Sequence, residues 1–185
     1  MRFTGGEARG RGIKGPRGGG LRPTSDRVRE AIFDILGGRV PGARFLDAFA
    51  GTGAVGLEAL SRGAARAVFL ERDRRALRLI RENLDLAPWT GSFAIIEGDA
   101  LGALDGLARR GERFDIAFFD PPYDHPSHAG LLSAAALLLA PAGILIVEHR
   151  SSTGVAAPVG TPLRPLRAYR HGDTTLSTFA LDGAV

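Results

Sequence analysis

From residue 44 to residue 148 the chain alternates two kinds of segment, and few folds accept that pattern. Residues 44–48, 67–71, 93–97, 114–119 and 143–148 are short apolar runs, the signature of strands buried on both faces. Residues 54–62, 74–86, 101–109 and 129–139 space their apolar side chains for helices. Strands separated by helices of this length connect by right-handed crossovers, which predicts a parallel, doubly wound α/β sheet. The ending differs. Residues 163–170 and 174–181 flank His171-Gly172-Asp173, a turn signal, so they read as a hairpin. Upstream, Val28, Ile32, Ile35 and Leu36 share one helix face, with Thr24 or Ser25 as N-cap and Gly37-Gly38 as the stop. No repeat or linker interrupts this order, so residues 1–185 are expected to form one domain, with 1–24 as an N-terminal arm.

The arm is the basic part of the chain. Residues 1–30 carry Arg2, Arg9, Arg11, Lys14, Arg17, Arg22, Arg27 and Arg29 against Glu7, Asp26 and Glu30. Gly5-Gly6, Gly10, Gly12, Gly15-Pro16 and Gly18-Gly19-Gly20 exclude a long helix there. A short strand or two, or a segment that orders on a partner, remains open. Such an arm suggests a polyanion, because neutralising phosphates drives sequence-independent binding. The plainer alternative is a solvated tail.

Composition removes several chemistries. There is no cysteine, so disulfides, thiolate nucleophiles and cysteine-based metal sites are excluded. His125, His128, His149 and His171 are scattered and make no metal-ligand pattern, so no metal is expected. The longest apolar stretch, 131–146, is broken by Pro141 and Gly143 and is too short to span a bilayer. No leader pattern opens the chain, which predicts a cytoplasmic protein, with a monomer as the default. His149 reads as a satisfied edge histidine and Trp89 as a packing residue.

Two local patterns carry chemistry. The first strand ends in Asp47 and runs into Ala48-Phe49-Ala50-Gly51-Thr52-Gly53, whose small residues let the backbone approach a ligand at a helix N-terminus. In open α/β sheets nucleotides bind in that crevice, past the strand ends. The dinucleotide fingerprint starts its glycines directly after the strand, so the preceding acid argues against NAD. Glu71 closes the second strand, where a carboxylate reaches ribose hydroxyls. Asp99, in Gly98-Asp99-Ala100, follows the third strand, placed to accept from an adenine amine. Asp73 and Asp99 are each also explained as helix caps. Three acids after three successive strands, together with the glycine turn, point to an adenosine ligand.

The second pattern is Asp120-Pro121-Pro122-Tyr123, after the fourth strand. Neither proline has an N–H to continue a ladder, and together they hold a stiff extended turn. One carboxylate, one bare carbonyl and one aromatic face are thereby fixed together. A planar ring bearing an amine uses all three, two as acceptors and one for stacking. A strand-ending turn with a packed tyrosine is the plainer explanation, and so short a motif needs support.

These residues together resemble class I S-adenosylmethionine-dependent methyltransferases, over roughly residues 44–148. Asp47 to Gly53 is similar to the cofactor loop, Glu71 to the ribose acid and Asp99 to the adenine contact. Asp120-Pro121-Pro122-Tyr123 is similar to the motif of enzymes that methylate exocyclic or amide nitrogens. A narrower resemblance spans almost the whole chain. Residues 19–30, with Arg22-Pro23-Thr24-Ser25-Asp26-Arg27-Val28-Arg29-Glu30, then 47–53, 56–64 and 169–176, resemble the bacterial 16S rRNA guanine-N2-methyltransferase family, RsmD. That likeness implies a Rossmann-like sheet of seven strands, mostly parallel with an antiparallel C-terminal strand, and helices on both faces.

It also implies S-adenosyl-L-methionine as cofactor and 16S rRNA or the small ribosomal subunit as partner. The cofactor residues would be Asp47, Phe49, Ala50, Gly51, Thr52, Gly53, Glu71, Arg72, Asp99 and Ala100. Asp120, Pro121, Pro122 and Tyr123 would handle the acceptor amine, and Arg9, Arg11, Arg22 and Arg27 the RNA. Arg22, Thr24 and Arg27 would line the cofactor or the RNA, and capping and packing of the first helix explain them equally well. An adenine-N6 or cytosine-N4 DNA methyltransferase, a protein glutamine methyltransferase and a non-enzymatic RNA-binding module are the alternatives.

Overall fold

The computed structural model describes residues 1–16, 25–122 and 128–183. Its strands are β1 (Arg44–Ala48), β2 (Arg66–Glu71), β3 (Ser92–Glu97), β4 (Phe114–Phe119), β5 (Leu139–Arg150), β6 (Leu163–His171) and β7 (Thr174–Leu181). They form one seven-stranded sheet in the order β3-β2-β1-β4-β5-β7-β6. β1 to β5 are mutually parallel, and β7 runs antiparallel between β5 and β6. The winding therefore reverses between β1 and β4, and a crevice opens there past the strand ends.

Helices cover both faces because the central strands are apolar on both. α1 (Asp26–Leu36), α2 (Ala54–Ser61) and α3 (Arg74–Leu84) lie on one side. Ile32, Phe33 and Leu36 of α1 pack there on Phe45, Phe118 and Ile146. α4 (Ala100–Arg109) and α5 (His128–Leu138) lie on the other, where Leu104, Leu131 and Leu132 meet Leu46, Phe119 and Leu145. Asp115 is the one exposed residue of β4, and its carboxylate accepts the Arg44 N–H at 2.8 Å, fixing where β1 begins beside β4.

Local chemistry sets the helix ends. Ser25 caps α1 by accepting the Val28 N–H, and Gly37 closes it before a short 3-10 turn. α3 stops at Leu84, two residues earlier than its apolar spacing suggests, and the Trp89 indole donates to the Leu84 carbonyl at 2.7 Å. β5 starts at Leu139, four residues earlier than expected, directly from α5. Pro141 is accommodated because the β4–β5 register shifts there: β4 advances from Phe114 to Ile116 while β5 advances from Leu139 to Ile144.

The arm is a fixture along its described part. Phe3, Ala8 and Ile13 are buried, and Arg2 pairs with Gly12 in an antiparallel bridge. The Glu58 carboxylate on α2, wholly buried, accepts the backbone N–H groups of Thr4 at 3.0 Å and Gly5 at 2.8 Å. Arg62 pairs with it at 2.9 Å and the buried Arg29 at 3.4 Å, and Arg29 also donates to the Arg2 carbonyl. Gly6 adopts φ +74 against α2, where a Cβ would fall 1.7 Å from the Ser61 carbonyl oxygen. No other residue fits that contact.

Candidate active site

The loop after β1 is held from three sides. Phe49 sits at φ 65, a conformation that is strained for a side chain of its size. The Ala50 N–H donates to the Leu70 carbonyl at 3.0 Å, and the Gly51 N–H to the Glu71 carboxylate at 2.8 Å. The other Glu71 oxygen accepts from the N–H groups of Arg72 and Asp73, both at 2.8 Å. Thr52 is clasped from below by Asn83 of α3. That buried amide donates to the Thr52 and Lys14 carbonyls, both at 3.0 Å, and accepts the Lys14 N–H at 2.8 Å. One side chain thus joins the loop to the arm.

Asp47 lies beneath the loop. It is 1% exposed and accepts the Gly56 N–H at 2.8 Å. Burial pushes its carboxyl up to about 8; the Gly56 hydrogen bond opposes that rise, and the charges of Asp120 and Glu71 add to it. Asp99 caps α4 through the Gly102 N–H at 3.2 Å. Asp73 caps α3, and the N–H groups of Ala76 and Arg75 hold its carboxyl below the usual range. The capping explanation therefore describes both, and both still border the crevice.

The crevice is a cavity of about 550 Å³. Asp47, Phe49, Ala50, Gly51, Thr52, Glu71, Arg72, Asp99 and Ala100 all line it, as do Asp120, Pro121 and Pro122. Gly53 does not; it caps α2 at φ 75. Tyr123, Arg22 and Thr24 lie outside the described residues. Arg9, Arg11 and Arg27 are exposed and line no part of the cavity, and Arg11 donates to the Leu86 carbonyl at 2.8 Å.

Ser25, Val28, Asp73, Glu148 and Thr174 border the cavity without having been marked as site residues in the sequence. Ser25 and Val28 come from the start of α1 and Thr174 from β7, elements with no motif of their own. Glu148 had a signal, an apolar run closed by an acid, the same one that marks Asp47 and Glu71. His149 beside it is buried and satisfied, with Nε2 2.8 Å from the Ser177 hydroxyl and Nδ1 3.0 Å from the Arg150 carbonyl.

The sheet register explains why acids converge here. Leu70, Ala48, Phe119 and Val147 form one row across β2, β1, β4 and β5. One step further come Glu71, Phe49, Asp120 and Glu148, so β2, β4 and β5 bring three carboxylates to one level of the sheet. Among the described residues lining the cavity, six are acidic and Arg72 alone is basic. Such a cavity suits a cationic ligand with hydrogen-bond donors. Among the described residues, no group of three or more His, Asp or Glu side chains is placed to hold a metal ion.

A single reversed strand at the C-terminal end of a doubly wound sheet, with a glycine loop and strand-end acids at the switch, defines a Rossmann-like methyltransferase. The family model for conserved hypothetical protein 95 matches residues 1–180. Ribosomal RNA small subunit methyltransferase D of Escherichia coli K12 is 40% identical over 148 residues, 80% of this chain and 71% of that protein. YlbH of Bacillus subtilis 168 is 36% identical over 162 residues, 86% of this chain and 88% of that one. A solved structure from Thermus thermophilus superposes with a TM-score of 0.82 at 34% identity, covering 98% of this chain and 99% of that chain. The chain belongs to the family of ribosomal RNA small subunit methyltransferase D.

Proposed function

We propose that this protein transfers a methyl group from S-adenosyl-L-methionine to the exocyclic N2 of a guanine in 16S rRNA. The observation that carries the reading is the shared cavity: Asp120 and Pro121 face the same space as the glycine loop, Glu71 and Asp99. The cavity fits that cofactor in charge, because a sulfonium and an ammonium meet a ring of carboxylates. The small residues Ala50 and Gly51 of the loop also suit a close approach of the cofactor. Asp47, Phe49, Ala50, Gly51, Thr52, Glu71, Arg72, Asp99 and Ala100 would hold the cofactor, with Glu71 toward the ribose and Asp99 toward the adenine amine. Gly53 contributes through the loop's turn.

When bound, the cofactor supplies an electrophilic methyl: the N2–C bond forms as the S–C bond breaks, leaving a neutral thioether. The protein's work is on the amine. A guanine N2 lone pair is delocalised into the ring and attacks poorly. Asp120 and the Pro121 carbonyl accept its hydrogens and turn the lone pair toward the methyl, so positioning and electrostatics lower the barrier. The amine becomes acidic as the new bond forms, and its proton leaves toward Asp120 or water. Pro122 keeps the turn rigid and Tyr123 stacks on the base, which must first leave its own stack at a cost of a few kcal/mol.

Arg9 and Arg11 on the arm, with Arg22 and Arg27, would meet RNA phosphates. Family membership weighs against DNA or protein glutamine as acceptor. The reading implies a cytoplasmic, metal-free monomer acting on the small subunit or its RNA. Among the described residues no helix is long and apolar enough to cross a membrane.

The test is transfer of radiolabelled methyl to 16S rRNA and to small subunits from cells lacking the activity, followed by nucleoside analysis. N2-methylguanosine is the expected product. Label in adenine, cytosine, DNA or protein would overturn the acceptor, and no incorporation with cofactor bound would overturn the enzymatic reading.

A further inference from the structure

Glu148 is a cavity carboxylate for which the proposed transfer has no task. It is 6% exposed and lies near the C-terminal end of β5. Phe119 pairs with Val147, so Glu148 stands across from Asp120, one parallel-strand spacing away, about 4.8 Å between backbones. Alternation puts both on the α1 face of the sheet: Phe118 and Ile146, two residues before each, pack in the cluster under α1. Ser25 and Val28 at the start of α1 and Thr174 of β7 complete this end of the cavity. The glycine loop, Glu71 and Asp99 belong to the other end, over β1 to β3. The cavity is therefore divided, with the adenosine-type features on one side and the Asp120–Glu148 pair on the other.

We infer that Glu148 accepts the N1–H of the target guanine and so selects guanine over other amine-bearing bases. The inference rests on the function proposed above. In guanine one of the two ring nitrogens beside the amine, N1, carries a hydrogen. In adenine, cytosine and 2-aminopurine the corresponding nitrogen is a lone-pair acceptor. Asp120-Pro121-Pro122-Tyr123 grips an amine and an aromatic face, which all these bases offer, so it cannot tell them apart. A second carboxylate beside Asp120 can. Guanine presents two adjacent donors, N2–H and N1–H, to two adjacent acceptors. Any of the other bases presents one donor and one lone pair, and the lone pair meets Glu148 in a poorly hydrated place. A site built for a donor rejects a ligand lacking it far more strongly than a hydrophobic pocket rejects a size mismatch.

The experiment uses the full-length protein and small-subunit RNA ligated to carry either guanosine or 2-aminopurine riboside at the methylated position. 2-Aminopurine keeps the amine and lacks the N1 hydrogen. kcat/KM is measured on both RNAs for wild type and for Glu148→Gln, with the thermal unfolding midpoint as the check on the fold and S-adenosylhomocysteine binding by calorimetry as the check on the cofactor end. Wild type is expected to prefer guanosine by roughly 10- to 150-fold, the size of one charge-assisted hydrogen bond. The variant should bind S-adenosylhomocysteine as wild type does while its preference collapses toward unity. A variant that keeps the wild-type ratio, or a wild type with no preference, would overturn the inference while N2-methylguanosine still forms. Loss of S-adenosylhomocysteine binding in the variant would move Glu148 to the cofactor end and overturn it too. Absence of any N2-methylguanosine with wild type would instead overturn the underlying function, and the inference with it.

Discussion

The Asp47 carboxylate and the Gly56 N–H are joined by a 2.8 Å hydrogen bond in the interior, tying the end of β1 to the first turn of α2. An acid so enclosed keeps its proton far above the usual carboxylate range, to about 8.

That sets the sign of a pH effect. In the unfolded chain Asp47 ionises near 4, and in the fold near 8, so the native state holds the extra proton between. Its contribution to stability is full below the unfolded value and is lost as pH rises through about 8. Urea unfolding of wild type should lose up to about 1.4 kcal/mol per pH unit from this group between about pH 5 and 7. Asp47→Asn, which keeps an acceptor for Gly56, should remove that part of the slope; an unchanged slope would assign the titration elsewhere.

Gly56 is where the helix and the sheet come closest to collision. A Cβ there would lie 2.4 Å from the Phe69 ring, which is wholly buried. Gly56→Ala is expected to destabilise by about 1–3 kcal/mol in thermal or chemical unfolding, because the ring has nowhere to move.

Glu58 is held by two arginines and two backbone donors in the interior. Glu58→Gln leaves the buried Arg29 guanidinium with the half-exposed Asp26, at 3.3 Å, as its remaining countercharge, a change worth up to about 3–5 kcal/mol. The arm should then detach, so trypsin should cut after Arg9 and Arg11 well before it cuts the wild type. Equal digestion rates would show that the arm's other contacts, the apolar packing and the hydrogen bonds to Asn83 and Leu86, hold it without Glu58.

Asp120→Ala separates the two ends of the cavity. Methyl transfer should fall by at least about 100-fold, the scale for removing one preorganised transition-state contact, with cofactor affinity unchanged. A parallel loss of affinity would place Asp120 among the cofactor ligands.

Arg9 is exposed on the arm. If it neutralises one phosphate, Arg9→Ala should weaken RNA binding for all sequences alike and lower the slope of log K against log salt by about 0.7–0.9. An unchanged slope would remove Arg9 from the interface.

The sheet's centre was legible because strands buried on both faces leave unbroken apolar runs; β1 and β4 begin and end where the pattern says. The start of β5 was not, since Pro141 and Gly143 look like a loop and only the register shift against β4 makes room for them. The burial of Phe3, Ala8 and Ile13 has no period of two or 3.6 to announce it, and they join a cluster drawn from α2, β2, α3 and Trp89. In the site, Asp47, Glu71, Asp99 and Asp120 could be read as acids at or just past strand ends. Thr174, Ser25 and Val28 could not, because tertiary structure alone brings them to the cavity. Asn83 reads as an ordinary helix polar residue, and its clasp on Thr52 and Lys14 appears only once α3 is docked.

The pinned arm also bears on how the protein is made. Its polar anchors lie far downstream: Gly5 and Thr4 wait for Glu58, 53 and 54 residues later, and Lys14 waits for Asn83, 69 residues later. The arm therefore cannot be pinned before α2 and α3 have been made, and until then it stays uncovered, with its arginines. Deleting it would spare the formation of α2 and α3 and remove the docking that depends on them.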